Sequence, residues 1–67
     1  MKRRIIEALI KHFEAHIEKH KINVEVYLEK GVGVAEHPDV MDSIEKELAQ
    51  MADYQDKIEM IKNYFNG

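Results

Sequence analysis

Gly31-Val32-Gly33-Val34-Ala35-Glu36-His37-Pro38 is the one stretch inside this sequence where glycine and proline cluster. It splits the chain into two arms of nearly equal length. As a corner between two helices it makes the chain an αα-hairpin; as part of a β-ribbon it makes a mixed fold. The periodicity of the arms on either side decides between the two.

From Ile5 to Lys30 there is no glycine or proline. Ile6, Ile10, Phe13, Ile17, His20, Val24 and Tyr27 recur in alternating steps of four and three, which is the seam of a heptad-like helix. Ile5, Leu9 and His16 lie beside that seam and widen it beyond what one partner helix needs. At 1.5 Å per residue such a helix is about 40 Å long. A strand competes locally: Ile22, Val24, Val26 and Leu28 alternate with Asn23, Glu25, Tyr27 and Glu29, and Val32 and Val34 follow, so that residues 22–35 could form a β-hairpin. Lys30-Gly31 is a poor two-residue turn beside Asn-Gly, and a lone two-stranded ribbon is marginal in water. A helix keeps the seam in phase through Tyr27, and helix is the expectation.

In the second arm Pro38 suits the first helical position, where a missing N–H costs nothing, and Asp39 and Asp42 put negative charge near the positive end of the helix dipole. The expected seam is Met41, Ile44, Leu48, Met51, Gln55, Ile58, then Ile61 or Lys62, then Phe65, with Val40, Ala52 and Tyr54 on its flanks. Asp42 with Lys46 and Asp53 with Lys57 are i,i+4 pairs in the favourable orientation. Asn66 and Gly67 suit a C-cap, as Gly31 does for the first helix. The sequence therefore predicts an all-α fold: an antiparallel two-helix hairpin, helices about 3–30 and 38–65, as one domain over residues 1–67. Pivoting about the corner sets Ile10 near Ile58, Ile17 near Met51 and Val24 near Ile44.

A 67-residue chain supports only a small core, and domains of this size usually recruit disulfides, a metal or a partner chain. Cysteine is absent, which removes disulfides and thiolate metal sites and is compatible with a reducing cytoplasm. Two hairpins that complete a four-helix bundle by dimerisation are the simplest supplement. Ile5, Ile6, Leu9, Phe13, Tyr54, Ile61 and Phe65 are the expected interface, with an unidentified protein as a further partner. With 45% apolar and 34% charged residues the chain is too hydrophobic for a disordered tail. Its apolar runs are too short to span a bilayer, and Lys2-Arg3-Arg4 is not followed by the apolar stretch of a secretion signal, so the expected location is the cytoplasm. Residues 1–30 carry seven Lys/Arg against five Glu, and residues 31–67 three Lys against eight acids, so an arm of +2 faces one of −5. The overall charge of −3 argues against broad nucleic-acid binding.

His12, His16 and His20 are spaced four apart, and adjacent pairs on a helix can chelate Zn²⁺ or Ni²⁺ through imidazole nitrogens. Each four-residue step turns about 40°, so the three drift from the exposed side at His12 into the seam at His20 and do not converge on one ion. Structural or solvent-facing histidines are the simpler expectation. A metal-binding or metal-stabilised bundle using His16 and His20 with a carboxylate from another chain is the alternative. His20 is expected to be partly buried, with Gln55 a second polar interruption that fixes register. Lys2, Arg3 and Arg4 oppose the helix dipole and read as a solubilising terminus near the acidic arm. Gly31-x-Gly33 lacks the preceding strand and following Lys-Ser/Thr of a phosphate loop. Asp39, Asp42, Glu45, Glu47, Asp53, Asp56 and Glu59 read as a solvated face, because a thin hairpin offers little concavity for a pocket. No catalytic residue and no cofactor is expected.

Asn23-Val24-Glu25-Val26-Tyr27-Leu28, Glu36-His37-Pro38-Asp39-Val40-Met41 and Met51-Ala52-Asp53-Tyr54 together resemble a group of short uncharacterised helical proteins of contractile-tailed phages of marine cyanobacteria, with relatives in ocean metagenomes. The resemblance covers most of the chain and carries no assigned activity or functional residues. It implies a viral accessory or structural protein at work in an infected bacterial host cell, with association with the virion as a further option. Taken together, the expected function is that of a small, non-enzymatic helical protein that self-associates and offers a helical surface to a protein partner.

Overall fold

The Ile5 amide donates to the Met1 carbonyl at 3.0 Å, and from this first turn a single α-helix, α1, runs over Lys2–Lys30. A second, α2, occupies Asp39–Tyr64, and the Phe65 amide prolongs its ladder by donating to Ile61 at 2.9 Å. The structure, a computed structural model, describes residues 1–30 and 39–65. The expectations for Gly31, Val32, Val34, Pro38, Asn66 and Gly67 lie outside the described residues. Among those described there is no strand, and Ile22 to Leu28 continue α1 without a break. The alternation that resembled a ribbon resolves into a helix with Val24 and Tyr27 turned inward and Ile22, Val26 and Leu28 outward.

The two helices pack along their length as an antiparallel pair. Phe13 meets Tyr54 with ring centroids 5.8 Å apart, His20 meets Glu47 at 2.6 Å, and Ile6 and Ile61 line one groove. Ascending positions on α1 thus meet descending ones on α2, within one residue of the expected register. The assembly measures 51 × 16 × 11 Å, which is one helix thick in its shortest direction. Charges at the ends of α2 follow its dipole, with Asp39 and Asp42 in the first turn and Lys62 in the last. The start of α1 opposes it, having Lys2, Arg3 and Arg4 and no acid in the first turn.

On α1 the inward stripe is the expected one: Ile6, Ile10, Phe13, Ile17, His20, Val24 and Tyr27 are all half-buried, joined on one flank by His16 and Asn23. On α2 the expectation is corrected. Ile44, Met51, Ile58 and Ile61 face inward as expected, but alternate positions are taken by Val40, Glu47 and Tyr54. Met41 is 75%, Leu48 50% and Phe65 58% exposed, and Gln55 is exposed and bonded to Glu59 on its own helix at 3.4 Å. At 100° per residue the inward stripe is rotated by roughly 50° from the most apolar one. The physical cause lies across the interface. The half-buried side of α1 presents His20 and Asn23, and Glu47 is the residue of α2 that can satisfy them. Ile58, 3% exposed, is the one buried residue among those described.

Candidate functional site

Chemistry-bearing side chains gather along one long edge of the hairpin. His12, His16 and His20 present successive turns of α1 to this edge, and Tyr54 answers from α2. The His12 and His16 rings stand edge to face with centroids 4.5 Å apart. His16 lies almost flat on Tyr54 at 4.6 Å and 11°, and the His20 ring is nearly parallel to Tyr54 at 6.1 Å and 17°. Phe13 closes the cluster against both Tyr54 and His12. Lys57, one turn along α2, holds its Nζ 5.2 Å from the Tyr54 ring centre and pairs with Asp53 at 2.6 Å. Tyr54, expected on the flank of the seam, is the aromatic centre of the edge.

The histidine drift expected from helix geometry has a chemical outcome. His20, partly buried as expected, is bound by Glu47: Nδ1 lies 2.6 Å from Glu47 Oε1, so that the ring donates and the carboxylate accepts. Asn23 Nδ2 donates to the same oxygen at 3.0 Å. These two donors lower the Glu47 pKa below its ordinary value, the hydrogen bond from His20 first and that from Asn23 second, against a partial desolvation that works the other way. Glu47 therefore leaves the solvated acidic face to which its sequence context assigned it. The His16 pKa is also lowered, first by desolvation against its neighbours and then by the positive charges of His12, Lys19 and His20.

Among the described residues, no three His, Asp or Glu side chains come together in a way that would hold a metal ion. His12 and His16 are close, but His20 is turned to Glu47 rather than to them. The carboxylate and imidazole of Glu47 and His20 have the geometry that orients a general base, yet among the described residues no hydroxyl is hydrogen-bonded to that ring, and these 67 residues contain one serine, no threonine and no cysteine.

Toward the start of α1 the same edge turns apolar. Lys2, Ile5, Ile6, Leu9, Ile61 and Phe65 line an open groove of about 400 Å³. Five of the seven expected interface residues thus come together in one place, and the other two, Phe13 and Tyr54, adjoin it as the aromatic pair. Sequence patterning missed Glu47 and Asn23; the signal available was a polar triplet whose members sit at matching heights of two antiparallel seams. No protein-family model, curated protein or solved structure matches this chain. Its functional reading therefore stands on its own surface. No helix among the described residues is long and apolar enough to cross a membrane.

Proposed function

We propose that this hairpin is a non-enzymatic self-associating module, in which two copies complete a four-helix bundle and the remaining helical faces receive a protein partner. The observation that carries this reading is the poverty of the isolated core. Among the described residues Ile58 alone is buried, while Ile5, Ile22, Leu28, Met41, Leu48 and Phe65 are exposed on both edges and the far faces. Side chains of this kind gain about 25 cal/mol for each Å² of apolar surface taken from water, so a second layer of helices recovers stabilisation that the hairpin alone forgoes. Methionine and tyrosine, here Met41, Met60 and Tyr64, are also what adaptable binding surfaces use. The resemblance to phage proteins supports placing this module among the accessory or structural components made in the cytoplasm of an infected bacterial cell.

The alternative, a metal-stabilised bundle using His16 and His20, has less support, because Glu47 already engages Nδ1 of His20 and the His16 ring lies flat on Tyr54. Sedimentation equilibrium from about 1 to 200 µM tests self-association, since micromolar dissociation corresponds to about 8 kcal/mol. A mass of twice 7.9 kDa at the upper concentrations is expected, with a melting temperature that rises with concentration. A well-folded monomer of constant melting temperature across that range would refute the proposal.

A further inference from the structure

The two long edges of the hairpin differ. One carries the groove of Ile5, Leu9, Ile61 and Phe65 beside the Phe13–Tyr54 pair; the other exposes Leu48 and Met41 on either side of the charged Glu45. Resting on the self-association proposed above, we infer that the occupant of the groove edge is the same edge of a second copy, related to the first by a two-fold axis close to Leu9.

Three observations select this occupant. The groove is apolar throughout apart from the stem of Lys2, so it fits an apolar surface and offers no polar anchor to a small charged ligand. The side chains that frame it also project from it: Ile5 is 54%, Leu9 40% and Phe65 58% exposed. A patch with both hollows and projections of the same chemistry is self-complementary, which is the requirement of an isologous two-fold contact. The size also fits. The long side as a whole, 51 by 16 Å, spans about 800 Å² in projection, which is one partner's share of a standard stable interface; the groove and the Phe13–Tyr54 pair take the part nearest the start of α1 and form its apolar core, with the histidine edge as its polar continuation. A single hairpin presents one such edge, so pairing closes at two copies instead of growing into a filament.

The absence of cysteine makes the geometry directly testable in the full chain. Leu9→Glu places a charge where a second apolar edge would seat, and the dissociation constant of the dimer is expected to rise by more than about tenfold, as at a central contact residue, with helicity retained. Leu48→Glu on the other edge is the control and is expected to leave the constant within about threefold, as for a surface change. Leu9→Cys is expected to form a disulfide-linked dimer under mild oxidation much faster than Leu48→Cys, because a residue beside a two-fold axis meets its own copy.

The outcomes separate the two levels of the proposal. A wild-type chain that stays monomeric overturns self-association itself and leaves the groove to a different protein. A wild-type dimer dissociated by Leu48→Glu and not by Leu9→Glu keeps self-association and overturns the assignment of the edge. Should Leu9→Glu lose its helicity, the oxidation experiment decides: preferential crosslinking through position 9 supports the two-fold contact, and equal or slower crosslinking overturns it. Open-ended assembly of the wild type overturns the isologous geometry.

Discussion

Replacing Ile58 by alanine removes the centre of the contact between the helices. Ile58 is 3% exposed, so the change strips three carbon groups from a site already closed to water. At about 0.8 kcal/mol for each buried carbon, plus a cavity contribution, the loss is about 3 kcal/mol. A folded chain of 67 residues holds roughly 3–10 kcal/mol in total, at 0.05–0.15 kcal/mol per residue. The substitution therefore consumes a third or more of the stability, and for a domain of this size it lowers the melting temperature by roughly 12–24 °C. Ile22→Ala makes the same chemical change on the outward side of α1, where the side chain is exposed, and it is expected to cost less than about 0.5 kcal/mol unless a partner covers that face. Thermal melts followed by circular dichroism at 222 nm, with both variants and the wild type at one concentration, make the comparison. Equal losses for the two isoleucines would refute the packing described here, because they would mean that Ile58 is no more enclosed than Ile22.

Acid is expected to weaken the hairpin in two stages. His16 has its pKa lowered from 6.5, so as pH falls through 6.5 the unfolded chain takes up the proton first and stability begins to decline. Glu47 has its pKa lowered from 4.5, so its contribution is complete above that value and is lost as pH falls through the lower folded value. Urea midpoints measured from pH 8 to pH 3 should show both declines; His16→Ala should remove the upper one and Glu47→Gln the lower one, and a profile unchanged by either substitution would refute the assignments. Zinc at equimolar concentration is expected to leave the melting temperature unchanged within error, since two imidazoles without a third converging ligand hold the ion weakly; a clear rise that His16→Ala abolishes would favour the metal-stabilised bundle. Lys57→Ala removes an exposed i,i+4 pair with Asp53 and is expected to cost less than about 0.5 kcal/mol in a urea titration, and a larger loss would give the Tyr54 contact of Lys57 an unexpected structural weight.

The inward stripe of α1 was legible in the sequence residue by residue, because its apolar positions sit on a clean four-three period with no better competing face. That of α2 was legible only at its shared positions Ile44, Met51, Ile58 and Ile61. There hydrophobicity favoured Leu48 over Glu47 and offered Met41 as readily as Val40, and a pattern within one helix cannot register that a histidine and an asparagine wait on the other. Glu47 is inward because His20 and Asn23 are, and that dependence is a property of the pair. Ile5 and Leu9 were legible as surplus width beside the seam of α1, whereas Phe65 was legible as the last position of the α2 seam and is instead 58% exposed; their gathering with Ile61 into one groove follows from the register of the two helices.

The hairpin is a single layer of contacts strung along 51 Å, and the loop that each contact closes lengthens from one end to the other. Asn23 and Glu47 join across 24 residues; Ile6 and Ile61 join across nearly the whole chain. Closing a pair directly costs more the longer its loop, so contacts of short sequence separation form first and the open end, held by no closed loop beyond it, closes last and frays first. The groove of Leu9, Ile61 and Phe65 lies at that end. A second copy seated there would act as a clasp on the last stretch to close, and amide hydrogen exchange graded along the axis in the monomer would become uniform in the dimer.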